Sequence, residues 1–177
     1  MPDAAVQKLT AYLRQIFADT RPEQTELKAH VLHGLSWLET VDFGHANRLY
    51  RNRESLSSAG LAHLALVFAK LDRKAPAVDL LGELDKRARP MQFGIRTCRM
   101  IPNDSATASA YMGSELEVTA LTLLAQLAVN PRATGVSEMV DYLAGRARAD
   151  GWQPHKARGA VVAALATYYA GGQRETA

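Results

Sequence analysis

The sequence predicts one all-α domain, built as a stack of helical hairpins. Its 177 residues are the usual size of a single globular domain. The chain has 30 Ala and 22 Leu but only 11 Val and 3 Ile, so strong helix formers are plentiful and β-branched residues are scarce. Apolar residues also recur at a spacing near 3.6 along most of the chain, which is typical of helices that bury one face.

Five helices are predicted in the first half, over about 3–18, 22–39, 43–52, 56–71 and 75–87. Pro22 suits the first turn of the second helix, where its missing N–H is no loss. Ser55 is the predicted cap of the fourth helix, and Pro76 begins the fifth. The residues predicted to face the core are Val6, Leu9, Leu13, Ile16, Phe17, Leu27, Val31, Leu35, Leu38, Leu49, Tyr50, Leu61, Leu64, Ala65, Phe68, Val78, Leu81 and Leu84.

The stretch from Arg89 to Asp104 has a different pattern, because Met91, Phe93 and Ile95 alternate with other residues. This pattern predicts one short extended or hairpin segment near 91–101. Helical spacing returns over about 114–129, 136–148 and 156–170, which gives about eight helices in one domain over 1–172. We expect two glycines at 171 and 172 to end the last helix, and 173–177 to form a flexible tail.

The charge and hydropathy of the chain exclude several classes of partner. The net charge of +3 comes from 21 basic and 18 acidic residues without a long block of one sign. The sequence therefore does not predict nucleic acid as a partner. No stretch is apolar for long enough to form a membrane span. No targeting signal is recognised in the first ten residues, and we expect Met1 to lie inside a longer natural protein.

Five histidines are the candidate metal ligands. His30 and His33 lie one turn apart on the second helix, near enough to share a metal, but no third ligand accompanies them. They are interpreted as ordinary half-exposed histidines, and His45, His63 and His155 as isolated ones. No metal and no cofactor is therefore predicted, and phosphate-binding glycine loops of the usual patterns are absent.

The candidate nucleophiles are a pair of serines and the single cysteine. No GxSxG turn surrounds Ser57 and Ser58, which are interpreted as capping or helix-packing residues. Arg96 and Arg99 flank Cys98 and would favour its thiolate, although a free cysteine is more often a buried packing residue. No catalytic residue is assigned, and the chain is predicted not to be an enzyme.

Two groups of charged residues complete the candidates. Glu115 and Glu117 are two positions apart, so a helix directs them differently, and they are interpreted as solvated charges or caps. Five basic residues without an acidic one occur from Lys86 to Arg99, and they form either a phosphate-binding surface or a solvated or protein-contacting face. The role of this stretch stays open at the level of the sequence.

Three segments resemble bacterial alpha-2-macroglobulin-like proteins. Ala46–Leu84 contains ESLSSAGLAHLAL before a helix pair, and Tyr111–Pro131 contains the aromatic-led ELEVTALTLLAQLAV helix. Met139–Tyr169 is similar to the closing segment of that family, with a GW turn at Gly151 and Trp152. The three segments cover about two thirds of the chain in the order that the family has.

The resemblance implies the later part of a thioester-domain-type α/α toroid, a partial ring of alternating inner and outer helices. It implies a non-catalytic domain of a protease-trapping inhibitor that is periplasmic or secreted, with proteases as partners of the parent and with neighbouring domains as partners of this chain. A thioester needs Gln three residues after Cys, but Ile101 follows Cys98 at that distance, so none forms here. Gln153-Pro154-His155 also departs from the family's Ser-Thr-Gln, and Trp152 is interpreted as a packing residue.

Two alternatives remain open. A terpene-cyclase or prenyltransferase-like enzyme would use a toroid cavity, but its acidic motifs are absent, since the chain has no adjacent aspartates. A helical-repeat scaffold would bind a peptide in its groove. Because a partial ring leaves apolar helix faces uncovered, we also expect the isolated chain to form a homodimer.

Overall fold

A computed structural model describes residues 3–103 and 113–174 of the chain. These residues form a mostly helical structure with one small antiparallel sheet, as the composition and the periodicity predict. The helices are α1 (Asp3–Asp19), α2 (Thr25–Ser36), α3 (Phe43–Arg51), α4 (Ser58–Lys70), α5 (Lys74–Arg87), α6 (Glu115–Val129), α7 (Val136–Asp150) and α8 (Arg158–Arg174), and the strands are β1 (Arg89–Phe93) and β2 (Arg96–Met100). Short 3₁₀ turns at Arg53–Ser55 and His155–Ala157 precede α4 and α8.

The even-numbered helices pack in a row that follows the order of the chain. Helix α4 packs against α2, α5 and α6, and α6 in turn packs against α7 and α8. The two central helices, α4 and α6, are therefore covered on several sides at once. Small side chains such as Ala62, Ala65 and Ala120 are fully buried there and let neighbouring backbones approach closely.

The row is open within the part of the chain that the structure describes. Helices α1 and α2 lie at one end and α8 at the other, and no extensive packing joins the two ends. Helix α1 packs on α2, and none of its residues is fully buried. The end helices thus have one covered face and one uncovered face.

The segment between α5 and α6 is a hairpin, which confirms the prediction near 91–101. Met91 pairs with Cys98 and Phe93 with Arg96, and both strands pack on α7. The ring of Phe93 lies directly over Gly145, where an added Cβ would come within 2.8 Å of the ring. Gly145 therefore allows the hairpin to sit close against α7, beside the buried Tyr142.

Local chemistry explains where the helices begin. Side-chain oxygens of Asp42, Ser57 and Ser114 accept hydrogen bonds from the backbone N–H groups at the starts of α3, α4 and α6. Ser57 rather than Ser55 caps α4, because Ser55 still belongs to the preceding 3₁₀ turn. Pro22 lies in the turn before α2 and not in its first turn, since that helix begins only at Thr25.

Helix α8 continues to Arg174, so the expected stop at residues 171 and 172 is wrong. Glycine lowers the helix propensity of this end, but two glycines do not terminate the backbone hydrogen bonding there. Of the tail predicted over 173–177, the first two residues are helical, and residues 175–177 lie outside the described residues. Residues 104–112, which include the start of the Tyr111–Pro131 segment, also lie outside them.

The predicted inward faces hold for α4 and fail in part at α5 and α1. Leu61, Leu64, Ala65 and Phe68 are all fully buried in α4. Val78 is 52% exposed, because the buried face of α5 is formed by Ala77, Leu80, Leu81 and Leu84. In α1, Leu9 is exposed, while the other members of the predicted stripe are half-buried.

Candidate functional site

Three histidines meet where α2 packs on α4. His63 of α4 is buried, and its Nδ1 lies 3.0 Å from Nδ1 of His33 on α2. The ring of His30, one turn before His33, stands edge-on to His63 with the ring centroids 4.5 Å apart. The interpretation of His63 as an isolated histidine is therefore wrong. We call His30, His33 and His63 the histidine cluster.

The hydrogen bonds of the cluster fix the position of its protons. The Nε1–H of Trp37 donates to Nε2 of His33 at 3.1 Å, so this nitrogen carries no proton. A neutral His33 must then be protonated at Nδ1, and it donates from there to Nδ1 of His63. Trp37, His33 and His63 thus form a directed chain of hydrogen bonds from the surface into the core, because Trp37 is 64% exposed and His63 only 6%.

Burial favours the uncharged forms of His33 and His63. It lowers the pKa of His33 to about 4, with smaller contributions from the positive charges of His30 and Lys70. Burial also lowers the pKa of His63 well below its ordinary value, and His30 and His33 add to this effect. The ammonium of Lys70 lies 3.7 Å from the centroid of the Trp37 ring. A second positive charge is therefore strongly disfavoured here at neutral pH.

The chemistry open to this cluster is limited by its internal bonds. Nδ1 of His33 and Nδ1 of His63 face each other, so neither is directed at a common cation. Within the described residues, no group of three or more His, Cys, Asp or Glu side chains is arranged to hold a metal ion. The contact between His33 and His63 is a polar link between α2 and α4, in which the two Nδ1 atoms satisfy each other.

Ser57, at the start of α4, is hydrogen-bonded to Glu26 of α2. The carboxylate of Glu26 accepts a hydrogen bond from the backbone N–H of Ser57 and another from its hydroxyl at 2.8 Å. The Ser57 hydroxyl oxygen in turn accepts from the N–H of Gly60 at 3.3 Å. Ser58 is the first residue of α4 and is fully buried. The capping and packing roles predicted for the two serines are confirmed.

Cys98 is a packing residue of strand β2, which packs on α7. Its side chain is 1% exposed, and burial raises the pKa of the thiol, with Asp141 adding to the effect. Arg96 acts in the opposite direction but is outweighed. The interpretation of Cys98 as a buried packing residue is therefore confirmed. The alternative, that neighbouring arginines favour the thiolate, is wrong, because burial outweighs the effect of Arg96.

The basic stretch from 86 to 99 is largely engaged by protein groups. Arg96 pairs with Asp141 at 2.8 Å, and Arg99 pairs with Asp85. Lys86 pairs with Glu83 at 2.7 Å, and Arg87 donates to the carbonyl oxygen of Leu56 at 3.2 Å. Within this stretch, Arg89 is the exposed cation for which the described residues provide no such contact. These contacts favour a solvated or protein-contacting face over a phosphate-binding surface. The contacts of Arg96 and Arg99 also join β2 to α7 and α5.

The pair Glu115 and Glu117, and Trp152, are the remaining residues that the sequence singled out. Glu115 is exposed, whereas Glu117 is half-buried with an oxygen 3.9 Å from the ammonium of Lys156, so neither carboxylate caps α6. The Trp152 indole packs against the core, and its Nε1–H donates to the carbonyl oxygen of Leu143 at 2.8 Å. The packing role predicted for Trp152 is confirmed.

Helix α8 presents an apolar stripe to solvent at the end of the helix row. Val162 is 53% exposed and Tyr169 57%, and Ala166 lies between them on the same face at helical spacing. On the opposite face, Val161 and Ala164 are fully buried where α8 packs on α6. Helix α8 is thus apolar on both faces but covered on only one. We call Val162, Ala166 and Tyr169 the α8 stripe.

Comparisons of the chain with protein-family models, with curated proteins and with solved structures find no match. No family is therefore assigned by these comparisons, and the function has to be argued from the residues and their contacts. No helix in the described ranges combines the length and apolar character needed to cross a membrane.

Proposed function

We propose that this chain is a non-catalytic helical domain that binds another protein domain through the α8 stripe. The uncovered stripe is the observation that carries the proposal. Val162 and Tyr169 are large apolar side chains two helical turns apart on one face of α8, with Ala166 between them. A further helix laid against them would continue the row that runs from α2 through α4 and α6.

A narrower proposal gives the kind of parent protein: an alpha-2-macroglobulin-like protease trap, of which this chain is an arc of the α/α toroid. The segment 46–84 falls on α3, α4 and α5, and the segment 139–169 falls on α7 and α8. An α/α toroid alternates inner and outer helices, and the described order, with α4 and α6 central and α5 and α7 beside them, supports this proposal. In such a parent, the α8 stripe would contact the neighbouring helices or domains.

The helical-repeat scaffold is the second candidate, favoured by the open row. Such a scaffold would use the same exposed helix faces, including the α8 stripe. Its partner, however, would be a peptide or protein that is not part of a protease trap. The two candidates are separated by an experiment on the parent protein rather than by the geometry of this domain.

The first experiment tests the stripe on the 177-residue chain itself. We expect the wild-type chain to dimerise at high concentration, and Val162→Asp and Tyr169→Asp to shift it to monomer, because each buries a charge at the contact. Thr167→Asp is the matched control, since Thr167 is exposed on α8 but lies off the stripe. Sedimentation equilibrium is the measurement. A wild-type chain that stays monomeric, or equal dimerisation of all four proteins, would contradict the role of the stripe.

The second experiment tests trapping in the natural full-length protein. A trapped protease keeps its activity on a small peptide substrate and loses it on a large protein substrate. We expect this difference in the parent after incubation with a protease. Equal activity of the protease on both substrates would refute the trap, whereas the binding role of the α8 stripe would be judged by the dimerisation experiment alone.

A further inference from the structure

A cleft of about 570 Å³ lies at the opposite end of the helix row from α8, between α1, α2 and α3. Its size is in the range of sites that bind small organic molecules. Three buried core residues form an apolar part of its wall, and Phe17 adds an aromatic ring. Those core residues are Leu32, Leu35 and Val41.

The two carboxylates that line the cleft are already engaged. Glu39 accepts hydrogen bonds from the guanidinium of Arg14, one of them from Nε at 2.9 Å. Asp42 accepts the backbone N–H of Gly44 and so caps α3. Both negative charges are therefore held by groups of the protein itself, and the positive charge of Arg14 is neutralised by Glu39.

The two remaining cations of the cleft have no carboxylate partner. The ammonium of Lys28 lies 5.1 Å from the centroid of the Phe17 ring, and neither Lys28 nor Arg48 forms an ion pair with a described residue. His45 stands edge-on to Phe17 with the ring centroids 4.9 Å apart, which fixes the aromatic part of the wall. Three cations against two carboxylates leave the lining with a net charge of +1.

We propose that this cleft binds a small monocarboxylate with an apolar body. The carboxylate contacts Lys28 and Arg48 by charge-assisted hydrogen bonds, and the apolar body lies against Leu32, Leu35 and Val41. A single negative charge balances the net charge of the lining. A phosphate dianion fits less well, because Glu39 and Asp42 lie in the same wall and would repel its second charge.

The proposal is independent of the α8 stripe, which lies at the other end of the row. Its test uses octanoate as the probe, with 1-octanol and octylammonium as matched molecules of the same chain length. We expect octanoate to bind with a Kd below about 1 mM by isothermal titration calorimetry, and 1-octanol about tenfold more weakly, since it lacks the charge. Octylammonium should not bind, because the cations repel it.

Variants locate the binding in the cleft. We expect Lys28→Gln and Arg48→Gln each to weaken octanoate binding about fivefold or more, because each removes one charged donor. Arg51→Gln is the matched control, since Arg51 is an exposed arginine of α3 that does not line the cleft. The thermal unfolding midpoints of the three variants, measured in parallel, show whether each remains folded.

Several outcomes would overturn the proposal. These are no octanoate binding at about 10 mM, equal affinity for octanoate and 1-octanol, or folded Lys28→Gln and Arg48→Gln variants that bind as the wild type does. Equal weakening by Arg51→Gln would indicate a diffuse effect of surface charge and would also overturn it.

Discussion

Helices α4 and α1 both carry apolar residues at helical spacing, but their surroundings differ. Eleven of the thirteen residues of α4 are buried, including small and polar ones, because neighbours cover it on several sides. Helix α1 packs mainly on α2 and has no buried residue. The apolar content of a helix in this chain therefore does not determine its burial; its position in the row does. Four predictions sharpen this comparison.

The largest effect is expected from a cavity in the central helix. Leu64→Ala in α4 should lower the free energy of unfolding by about 4 kcal/mol, because Leu64 is fully buried and its neighbours cannot collapse into the space. Leu9→Ala in α1 should lower it by less than about 1 kcal/mol, since Leu9 is 39% exposed. Urea unfolding monitored by circular dichroism gives both values. Similar losses for the two variants would contradict the comparison.

Acid should destabilise the link between the central helix and α2. The pKa of His33 is lowered to about 4 in the folded chain, against about 6.5 when unfolded, so the unfolded chain binds more protons between these values. The contribution of His33 is thus complete above about pH 6.5, and up to about 3 kcal/mol is lost as the pH falls to about 4. Protonation of His33 at Nε2 also places two donors face to face at Trp37.

The acid effect is measured as the urea midpoint between pH 7 and pH 4. His33→Gln should reduce this pH dependence, and the part that remains comes from His63, whose pKa is also lowered by burial. Replacing the exposed His155 by Gln should leave the pH dependence unchanged. A wild-type profile that is flat between pH 6.5 and pH 4, or one that His33→Gln does not alter, would disprove the role of the histidine cluster.

Helix caps should have a smaller effect. Ser57→Ala should cost about 2 kcal/mol of stability, because it removes both the cap of α4 and the hydroxyl donor to Glu26. Ser114→Ala should cost about 1 kcal/mol, since Ser114 supplies only the cap of α6. The midpoints of thermal unfolding of the two variants show which substitution costs more stability. The reverse order would show that the Glu26 contact adds nothing to the cap.

The smallest effect is expected at the α8 stripe. Val162→Ala should change the stability of the monomer by less than about 0.5 kcal/mol, because Val162 is 53% exposed. The adjacent Val161 is fully buried, and Val161→Ala should cost about 2 kcal/mol. Urea unfolding at low protein concentration keeps the chain monomeric for this comparison. A loss for Val162→Ala as large as that for Val161→Ala would place the stripe inside the core.

Most of the elements could be predicted from the sequence because the signals for them are local. The periodicity of α4 and α6 and the alternation around Met91 and Phe93 each depend on neighbours within a few residues. The inward face of α5 could not be read correctly, since Val78 and Ala77 are both apolar and only the position of α4 and α6 decides between them.

The candidate sites could not be predicted because they depend on contacts between distant segments. His33 and His63 are thirty positions apart, and nothing in either segment indicates that the two rings meet. The arginine neighbours of Cys98 favour a lowered pKa, and the usual burial of free cysteines favours a packing residue. Only the fold decides between the two, because burial of the thiol and the charge of Asp141 raise its pKa. The cleft at α1 likewise requires the packing of three helices, which no single motif encodes.

The open row also has a consequence for how the chain folds. The row consists of three neighbouring pairs, α2 with α4, α4 with α6 and α6 with α8. Between the two members of each pair the chain forms one helix, and before α6 it also forms the hairpin. No extensive packing within the described residues requires the two ends of the row to meet. Chains whose contacts are mostly close in sequence fold quickly, because little loop entropy is lost before a contact forms. We therefore expect folding on the ribosome to proceed in steps, with α2 and α4 docked before α8 is synthesised.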